Sequence, residues 1–421
     1  MRIWNFKDKS NQIIGAIDVG TTKICALIGR KNQKGVEILG IGLSSAKGIN
    51  KGNIIDIKKA SRAITEAISL AKEIAQEEPG VFLVSSAGSY WNSVNVENEI
   101  LLSKTAKEVT PKEIEKVVQG AKAQVDLAGK KVIHLLPQTY QLDEQKGITN
   151  PQGMIGTRLK VYAHLISIMD NQYHNLLKSF QEAGIEVSEL VFQPLASAVS
   201  VLKPLEREMG VVLADIGGGT TDIVIFHRDV IRYSAVIPLG GEHITSDLAI
   251  GLRTTKEEAE TIKVQHGCAF SHHLGEEDTI EIRDLGSSSL QSVSKKLMCQ
   301  IIEARAKEIG AFLAREIRKS GLHKSLKGGL VITGGTAALE GFGDLLGAIT
   351  GLPTRIGIPE NTNLDGMVQT LSHPMFAAAC GLLQLGTLLD SPQESTRFFF
   401  HRQVNQNKKF FRQLKDYFML E

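Results

Sequence analysis

The chain has 421 residues, 42% of them hydrophobic and 22% charged, and its formal net charge at pH 7 is only +2. These values are typical of a folded protein with two or more domains, and they exclude a largely disordered chain. The low net charge also excludes a strongly basic surface over the whole molecule, so we expect no nucleic-acid partner. Any charged partner must bind to a local patch of opposite charge.

The sequence predicts a cytosolic protein. It contains no run of 18 or more apolar residues, and residues 1–10 contain no apolar segment of the signal-peptide kind. Four cysteines are scattered along the chain without a CxxC pair, which is typical of a reducing compartment.

The first predicted unit is a pair of apolar strands joined by a Gly-Thr-Thr turn, in residues 13–30. A third strand is predicted at residues 36–44. The helix that follows is capped by Asp56 and carries apolar residues at helical spacing as far as residue 74. Strands that lead into a helix in this way predict the beginning of an α/β layer.

Residues 85–165 are predicted to be a small α+β unit inserted into this first α/β domain. Thr110 begins a capping box with proline in the first helical turn, and the helix after it carries one apolar stripe. Strands are predicted at residues 132–136 and 159–168. A helix capped by Asp170, a strand and an apolar linking helix then lead to the second half.

The second half opens with GVVLADIGGGTTDIVIFHRD, residues 210–229. Residues 211–214 and 223–226 are predicted strands, and the glycine-rich turn between them lets backbone amides approach an anion closely. Asp215, at the end of the first strand, is placed to face a phosphate or a metal-bound water.

The two hairpins are interpreted as an internal repeat, since both have the order Asp, Gly, Thr, Thr and then β-branched residues. The alignment pairs Asp18 with Asp215, Thr21 with Thr220 and Thr22 with Thr221. It requires two additional residues in the second turn. The alternative is that two unrelated buried hairpins happen to contain Gly-Thr turns.

The remainder of the second half is predicted to contain a long helix at residues 289–320 and a buried strand that ends in the glycine pair at 334–335. A helix predicted at residues 338–350 would place its N-terminus beside these glycines, which favours an anion there. A last core helix is predicted at residues 375–389, and a polar spacer follows it.

The end of the chain predicts a basic amphipathic helix. On a helix its aromatic and leucine side chains share an arc of about 120°, and its cations lie outside that arc. The predicted membrane-binding residues are Phe410, Phe411, Arg412, Leu414, Lys415, Tyr417 and Phe418. Each of the four cations in this segment is expected to contribute about 1 kcal/mol on an anionic membrane. The alternative is docking on the protein's own core or in a partner's groove, and the role of Phe398, Phe399 and Phe400 stays open.

Three glycine-bounded strand ends, two of them preceded by aspartate, predict a nucleotide between two α/β halves. The two hairpin turns would contact its β and γ phosphates from both sides. Asp18 and Asp215 would hold Mg²⁺ through water, and Lys23 would neutralise phosphate charge.

Seven segments indicate a family. They are IDVGTTKI (17–24), HLLPQTYQLD (134–143), GITNPQGMIG (147–156), ADIGGGTTDI (214–223), VIPLGGEHITSDLA (236–249), AETIKVQHGCA (259–269) and VITGGTAALEGF (331–342). With the amphipathic end, they resemble the bacterial cell-division FtsA family, within the superfamily of actin, sugar kinases and heat-shock chaperone ATPases. The resemblance covers the chain from about residue 13 to its last residue.

The resemblance implies an α/β, actin-like (ribonuclease H-like) fold of two domains and four subdomains, one of them a small inserted α+β subdomain of the SHS2 type, plus a C-terminal amphipathic helix. The implied units are subdomain 1A (1–84 and 166–198), 1C (85–165), 2A (199–253 and 319–390) and 2B (254–318), a flexible linker (391–407) and the membrane-targeting helix (408–421).

The resemblance also implies site residues. The first phosphate loop is Asp18, Gly20, Thr21, Thr22 and Lys23, and the second is Asp215, Gly217, Gly218, Gly219, Thr220 and Thr221. Glu260 and Lys263 match the helix that contacts the ribose, and Gly334, Gly335 and Thr336 match the adenosine loop. Gln193 matches the residue that orients the attacking water, and Asp215 is the other predicted catalytic residue.

The function that the resemblance implies is that of an ATP- and Mg-binding protein with at most slow hydrolysis, which polymerises on the cytoplasmic face of the inner membrane at the division site. Its implied partners are the tubulin-like protein FtsZ, further copies of itself, later division membrane proteins and the anionic membrane surface. Two alternatives stay open: a pilus-assembly ATP-binding adaptor with the same inserted subdomain, and a small-molecule kinase of the same superfamily.

Overall fold

The computed structural model describes residues 12–33, 35–272, 275, 277–283, 285, 289–360 and 364–387. The predicted linker at 391–407 and the predicted amphipathic helix at 408–421 lie outside these residues. In the part of the chain that is described, no helix is both long enough and apolar enough to cross a membrane.

The strands are, in chain order, β1 Ile13–Val19, β2 Lys23–Asn32, β3 Gly35–Ser45, β4 Ile49–Asn50, β5 Asn53–Ile54, β6 Val81–Ser86, β7 Trp91–Leu101, β8 Lys107–Glu108, β9 Lys130–Leu142, β10 Gln145–Ile148, β11 Ile155–Gly156, β12 Arg158–Met169, β13 Glu189–Phe192, β14 Val211–Ile216, β15 Thr221–His227, β16 Val230–Ile237, β17 Thr279–Arg283, β18 Leu290–Ser294, β19 Gly329–Thr333, β20 Thr354–Ile356 and β21 Leu364–Gly366.

The α-helices are α1 Ile57–Ala75, α2 Pro111–Gly120, α3 Asp170–Glu182, α4 Gln193–Val201, α5 Pro204–Met209, α6 Gly241–Gly251, α7 Lys256–His266, α8 Lys295–Lys319, α9 Phe342–Thr350 and α10 Ala377–Gly386.

The two large sheets repeat one topology. The first has the strand order β13-β6-β1-β2-β3-β21, and the second has the order β16-β15-β14-β19-β20. In each sheet three consecutive strands pair antiparallel, and the first of them pairs in parallel with a strand from later in the chain. The predicted internal repeat is therefore confirmed at the level of whole sheets.

The predicted difference in turn length is wrong. Val19 pairs with Ile24 in the first hairpin, and Ile216 pairs with Thr221 in the second, so residues 20–23 and 217–220 form turns of equal length. The alignment matched the Thr-Thr letters, whereas strand pairing determines which positions are equivalent.

Equal turns change which residues correspond. Lys23 is the counterpart of Thr220, and Cys25 is the counterpart of Asp222, because Asp18 pairs with Cys25 where Asp215 pairs with Asp222. The two hairpins thus share their aspartates at the end of the first strand but carry different chemistry on the returning strand.

The inserted unit is a separate four-stranded antiparallel sheet of order β10-β9-β12-β7, with α2 packed on it around its own apolar cluster. We call these four strands the inserted sheet. It contacts β13 at one edge of the first large sheet and β16 at one edge of the second. Because exposed sheet edges carry unpaired backbone groups, this contact covers an edge of each half.

Two buried helices, α4 and α10, lie between the large sheets. Helix α10 packs on β1, β2 and β6 of the first sheet and on α4, while α4 contacts β14 and β15 of the second. Strand β21 pairs with β3 of the first sheet. Residues 319–390 are predicted to belong to the second half, but from β21 onward this segment packs on the first sheet. The sequence could not show this for α10, because a helix that is apolar on all sides does not reveal which sheet it contacts.

Three predicted helix starts also differ from the structure. The predicted helix at 289–320 corresponds to α8, which begins only at Lys295, because residues 290–294 pair with β17 as strand β18. The predicted helix at 338–350 begins only at Phe342, after Gly341 with φ of 72°. Asp170 is the first residue of α3 and does not cap it.

Candidate nucleotide site between the two sheets

The carboxyl ends of β1 and β14 face one cavity of about 520 Å³. Asp18 and Asp215 occupy equivalent places on these strands, since each lies one residue before the last residue of its strand. Both side chains are buried, with exposed fractions of 4% and 2%. A cavity of this volume is within the range that proteins use for small-molecule ligands.

The two hairpin turns approach each other closely because the second consists of glycines. A Cβ atom on Gly218 would lie 2.4 Å from Thr22 Cγ2, and one on Gly219 would lie 2.5 Å from Thr21 Oγ1. Any larger residue at either glycine would separate the turns. The threonine side chains of the first turn thus occupy the space that side chains at Gly218 and Gly219 of the second turn would fill.

Nearly all the residues predicted to bind the nucleotide line the cavity. These are Asp18, Gly20, Thr21, Thr22, Lys23, Gln193, Asp215, Gly217, Gly218, Gly219, Thr220, Glu260, Lys263, Gly334, Gly335 and Thr336. Thr221 is not among the cavity-lining residues. It is fully buried in β15, and its hydroxyl donates to the carbonyl of Leu239 at 2.9 Å.

Asp18 is held by its neighbour strand. Ser85 of β6 pairs with Asp18 and donates from Oγ to Asp18 Oδ1 at 2.7 Å. Burial raises the pKa of Asp18, while the Ser85 hydrogen bond and the charge of Lys23 lower it. Ser85 was not predicted as a site residue, since a lone serine in a strand carries no signal in the sequence.

Asp215 receives two hydrogen bonds from α4. Ser197 Oγ donates to Asp215 Oδ2 at 2.5 Å, and Gln193 Nε2 lies 3.4 Å from the same oxygen. The pKa of Asp215 is raised to about 6, because the effects of burial and of the charge of Asp18 outweigh the lowering by the Ser197 hydrogen bond. Helix α4 therefore determines where the donors to this carboxylate lie.

Asp222 is a third buried carboxylate at the site, and it is not among the residues predicted from the sequence. Thr220 Oγ1 donates to Asp222 Oδ2 at 2.7 Å, and Asp222 lines the cavity. Its Oδ1 is buried without a hydrogen-bond partner among the described residues. Burial raises its pKa well above the usual range, and the charges of Asp215 and Asp18 add to the rise. An acidic residue inside an otherwise apolar returning strand was the available signal.

The ammonium of Lys23 lies between the first hairpin and the segment that leads into α10. Lys23 Nζ donates to the carbonyl of Met375 at 2.6 Å and lies 4.9 Å from the centroid of the Phe376 ring. An ammonium group has three donors, so this bond leaves others for an anion in the cavity.

Glu260 and Lys263 of α7 form an ion pair of 2.6 Å at the other end of the cavity. Lys263 Nζ also donates to Thr245 Oγ1 at 2.9 Å, and the Thr245 hydroxyl donates to the Glu260 carboxylate. These bonds fix both side chains against α6.

The loop at the end of β19 is joined to the second hairpin. Thr336 Oγ1 donates to the carbonyl of Gly217 at 2.9 Å. Gly334 has φ of 86°, and a Cβ atom there would lie 2.5 Å from Asp215 Oδ1. A Cβ atom on Gly335 would meet nothing within 4 Å among the described residues, because this position opens to the cavity.

Three buried carboxylates at one site favour a cation. Burial raises the pKa of each carboxyl because it disfavours the ionised form, and the like charges of neighbouring carboxylates add to the rise at Asp215 and Asp222. Within the described ranges, no three His, Cys, Asp or Glu side chains converge closely enough to hold an ion by themselves. These oxygens would therefore hold a hard cation such as Mg²⁺ only together with water or ligand oxygens.

Two protein families match parts of the chain. Residues 212–381 match the family described as cell division protein FtsA, and residues 88–167 match the SHS2 domain inserted in FtsA. The second match falls within β7 to β12 and the loop before them.

Curated relatives match over most of the chain. The cell division protein FtsA of Pseudomonas aeruginosa is 35% identical over 379 residues, which are 90% of this chain and 90% of the relative. The Escherichia coli K12 protein of the same name is 32% identical over 90% of this chain and 91% of its own length. The Bacillus subtilis protein is 32% identical over 89% and 83%.

Solved structures with similar folds are more distant in sequence. A PilM–PilN complex of type IV pilus biogenesis matches with a TM-score of 0.65 and 16% identity over 90% of this chain and 99% of the other. MreB5 of Spiroplasma citri bound to ADP matches with a TM-score of 0.53 and 15% identity over 89% and 95%. Likeness at this identity shows the fold alone, and it confirms the predicted actin-like fold.

Proposed function

The chain belongs to the FtsA family of cell division proteins, and from that premise we propose that it is an ATP-binding adaptor of the bacterial division machinery. The observation that carries this proposal is the pair of equivalent hairpins whose aspartates face one cavity from opposite halves. A nucleotide bound there contacts both halves, so its presence determines how they are arranged.

The proposed ligand is ATP with Mg²⁺, which supplies positive charge to the phosphates when bound. The two turns would donate backbone amides and threonine hydroxyls to the phosphates, and Lys23 would add its charge. Asp18 and Asp215 would hold the cation through water, and Asp222, which pairs with Asp215 across the hairpin, would add negative charge beside it. Glu260, Lys263 and the loop from Gly334 to Thr336 would contact the nucleoside end.

Gln193 and Asp215 are the proposed residues for orienting an attacking water. Their side chains lie 3.4 Å apart and both line the cavity. We propose at most slow hydrolysis, since the amide of Gln193 can orient a water but cannot take up its proton, and Asp215 is assigned to the cation.

Calorimetry of Mg-ATP binding tests the nucleotide proposal. Asp215→Asn removes a charged oxygen from the proposed cation site while it keeps the side-chain shape, so we expect affinity to fall about tenfold or more. Asp344→Asn, at an exposed position of α9, is the matched control and should bind as the wild-type protein does. Equal affinity in all three proteins would remove the assigned role of Asp215.

The proposal also covers assembly. The protein would polymerise on the cytoplasmic face of the inner membrane, to which the amphipathic segment at residues 408–421 would anchor it. It would thereby tether FtsZ to the membrane, and it would recruit later division proteins. The support is family membership together with the basic and aromatic sequence of that segment. The pilus-adaptor alternative is supported only by likeness of fold, at 16% identity.

Co-sedimentation with anionic vesicles tests the membrane proposal. We expect the full chain to pellet with vesicles of mixed anionic and zwitterionic lipid, and a chain that ends at Asp390 to stay in the supernatant. Reversing the charges at Arg412 and Lys415 should weaken pelleting in a salt-dependent way. If the shortened chain pellets as well as the full one, the segment is not the membrane contact.

A further inference from the structure

The inserted sheet touches the chain immediately before the helix that carries the donors to Asp215. His134 of β9 has an exposed fraction of only 1%, and its Nε2 accepts the backbone N–H of Phe192 at 2.9 Å. A backbone amide can only donate, so Nε2 must carry a lone pair and the neutral ring has its proton on Nδ1. Burial lowers the pKa of His134 to about 3, which keeps the ring neutral at physiological pH.

A second contact reinforces the first. The ring of Trp91, in β7 of the inserted sheet, lies 5.0 Å from the ring of Phe192 with an angle of 44° between the planes. Both residues are buried. Phe192 is therefore held by the inserted sheet through its backbone and through its side chain.

Phe192 is the N-cap residue of α4, and no side chain of the described structure caps this helix in the usual way. Its first amides need partners from elsewhere. The residue after Phe192 is Gln193, and Ser197 follows one turn later, so both donors to Asp215 lie on the helix that begins at this contact. Every residue of α4 is buried, which means that a shift at its N-terminus moves both donors together.

We propose that His134 is a positioning residue for the nucleotide site, which acts through Phe192 and α4 on the carboxylate of Asp215. This inference rests on the proposed binding of ATP in the cavity. The inserted sheet thus helps to set nucleotide affinity although none of its strands lines the cavity.

Thermodynamic linkage predicts that partners of the inserted sheet and the nucleotide affect each other's binding. If the position of the inserted sheet affects nucleotide affinity, then a bound nucleotide must affect the inserted sheet by the same free energy. A protein that binds the inserted sheet and changes its contact with Phe192 would change ATP affinity, and ATP would change the affinity for that protein.

The test uses three variants of the full chain and the affinity for Mg-ATP by calorimetry. His134→Ala removes the acceptor, and we expect affinity to fall about fivefold, as for the loss of one hydrogen bond. His134→Gln keeps an acceptor oxygen on a side chain of similar reach and should restore most of the affinity. Val161→Ala, in the apolar cluster of the inserted sheet and fully buried, destabilises that sheet without touching Phe192 and should bind as the wild-type protein does.

Fluorescence supplies a readout that general destabilisation would not move. The chain has two tryptophans, so Trp4→Phe leaves Trp91 as the only emitter. In this background, with each protein saturated, we expect Mg-ATP to change the emission of Trp91 in the wild-type and His134→Gln proteins and to change it less in His134→Ala, where only the ring contact still joins Phe192 to the inserted sheet.

The outcomes separate the two proposals. If the wild-type protein does not bind Mg-ATP, the proposed function fails. If it binds and His134→Ala binds equally well, or if Val161→Ala loses as much affinity as His134→Ala, the positioning role of His134 is overturned.

Discussion

At the scale of single residues, the site is defined by three carboxylates that the protein buries close to one another. Asp18, Asp215 and Asp222 are each 4% exposed or less, and each has its pKa raised by burial. Burying ionised acids costs free energy unless a cation or a proton compensates. The protein without ligand is therefore less stable at neutral pH than it would be with neutral side chains at these positions.

Asp215→Asn should raise the stability of the ligand-free protein at neutral pH. The folded-state pKa of about 6 lies above the ordinary 3.8, so the folded state binds more protons between these values and stability falls as pH rises through that window. Above about pH 6 the variant should be more stable by up to about 3 kcal/mol, and below about pH 4 the difference should vanish.

Thermal unfolding with a chelator, at several pH values, measures this difference. Added Mg-ATP should narrow the difference at neutral pH, because the wild-type protein binds it more tightly and a tenfold difference in affinity offsets about 1.4 kcal/mol at saturating ligand. A variant that is less stable than wild type at every pH would contradict the proposed cost of burying Asp215.

At the scale of elements, the inserted sheet is attached to both halves by hydrogen bonds from its side chains, most of them to backbone groups. Its bonds to β16 come from strands β7, β9 and β12. Ser93 Oγ donates to the carbonyl of Ser234 at 2.8 Å, Gln138 Nε2 donates to that of Ile231 at 2.7 Å, and His164 Nε2 lies 2.8 Å from Ser234 Oγ. Together with the contact of His134 at β13, these bonds place the inserted sheet across both halves.

Gln138→Ala should loosen this attachment. Gln138 is 7% exposed, and its loss leaves the Ile231 carbonyl without this donor, which costs about 1 to 3 kcal/mol. We expect faster hydrogen exchange in β16 and lower thermal stability. Gln141→Ala is the matched control, since Gln141 lies on the same strand and donates to the carbonyl of Asp143 within the inserted unit. Equal exchange in β16 for both variants would contradict the attachment.

At the scale of the whole molecule, the two halves meet at the buried helix pair α4 and α10. A Cβ atom on Gly381 of α10 would lie 1.8 Å from the carbonyl oxygen of Ala196 in α4. The helices approach this closely only because residue 381 is glycine. The same α4 carries the donors to Asp215, so the contact between halves and the proposed nucleotide site share one element.

Gly381→Ala should therefore destabilise the molecule and weaken nucleotide binding together. We expect overpacking to lower the free energy of unfolding by about 1 to 3 kcal/mol or more, which chemical denaturation measures. Affinity for Mg-ATP should fall in parallel. Gly343→Ala in α9 is the matched control, because its Cβ would meet its nearest neighbour at 3.6 Å, an ordinary contact. That change should be neutral or slightly stabilising, since alanine favours a helix. If Gly381→Ala were equally neutral, the close approach of the helices would not matter for stability.

The sequence alone determined the features that depend on local chemistry. The strand, glycine turn and aspartate of each hairpin were readable because glycine and apolar runs restrict the local backbone, and the family was readable from seven short motifs. Nearly all the residues predicted for the nucleotide line one cavity. The amphipathic segment at 408–421 was also read from sequence, and it stays a prediction.

Only the tertiary structure decided the features that depend on pairing between distant segments. Strand register made the two turns equal in length and placed Asp222 beside Asp215, and packing brought Ser197 to that carboxylate and α10 to the first sheet. Residues 290–294 became a strand because β17 pairs with them. The physical reason is common to all of these: each residue's environment is supplied by a segment that lies far away in the chain, and no local pattern encodes which segment that will be.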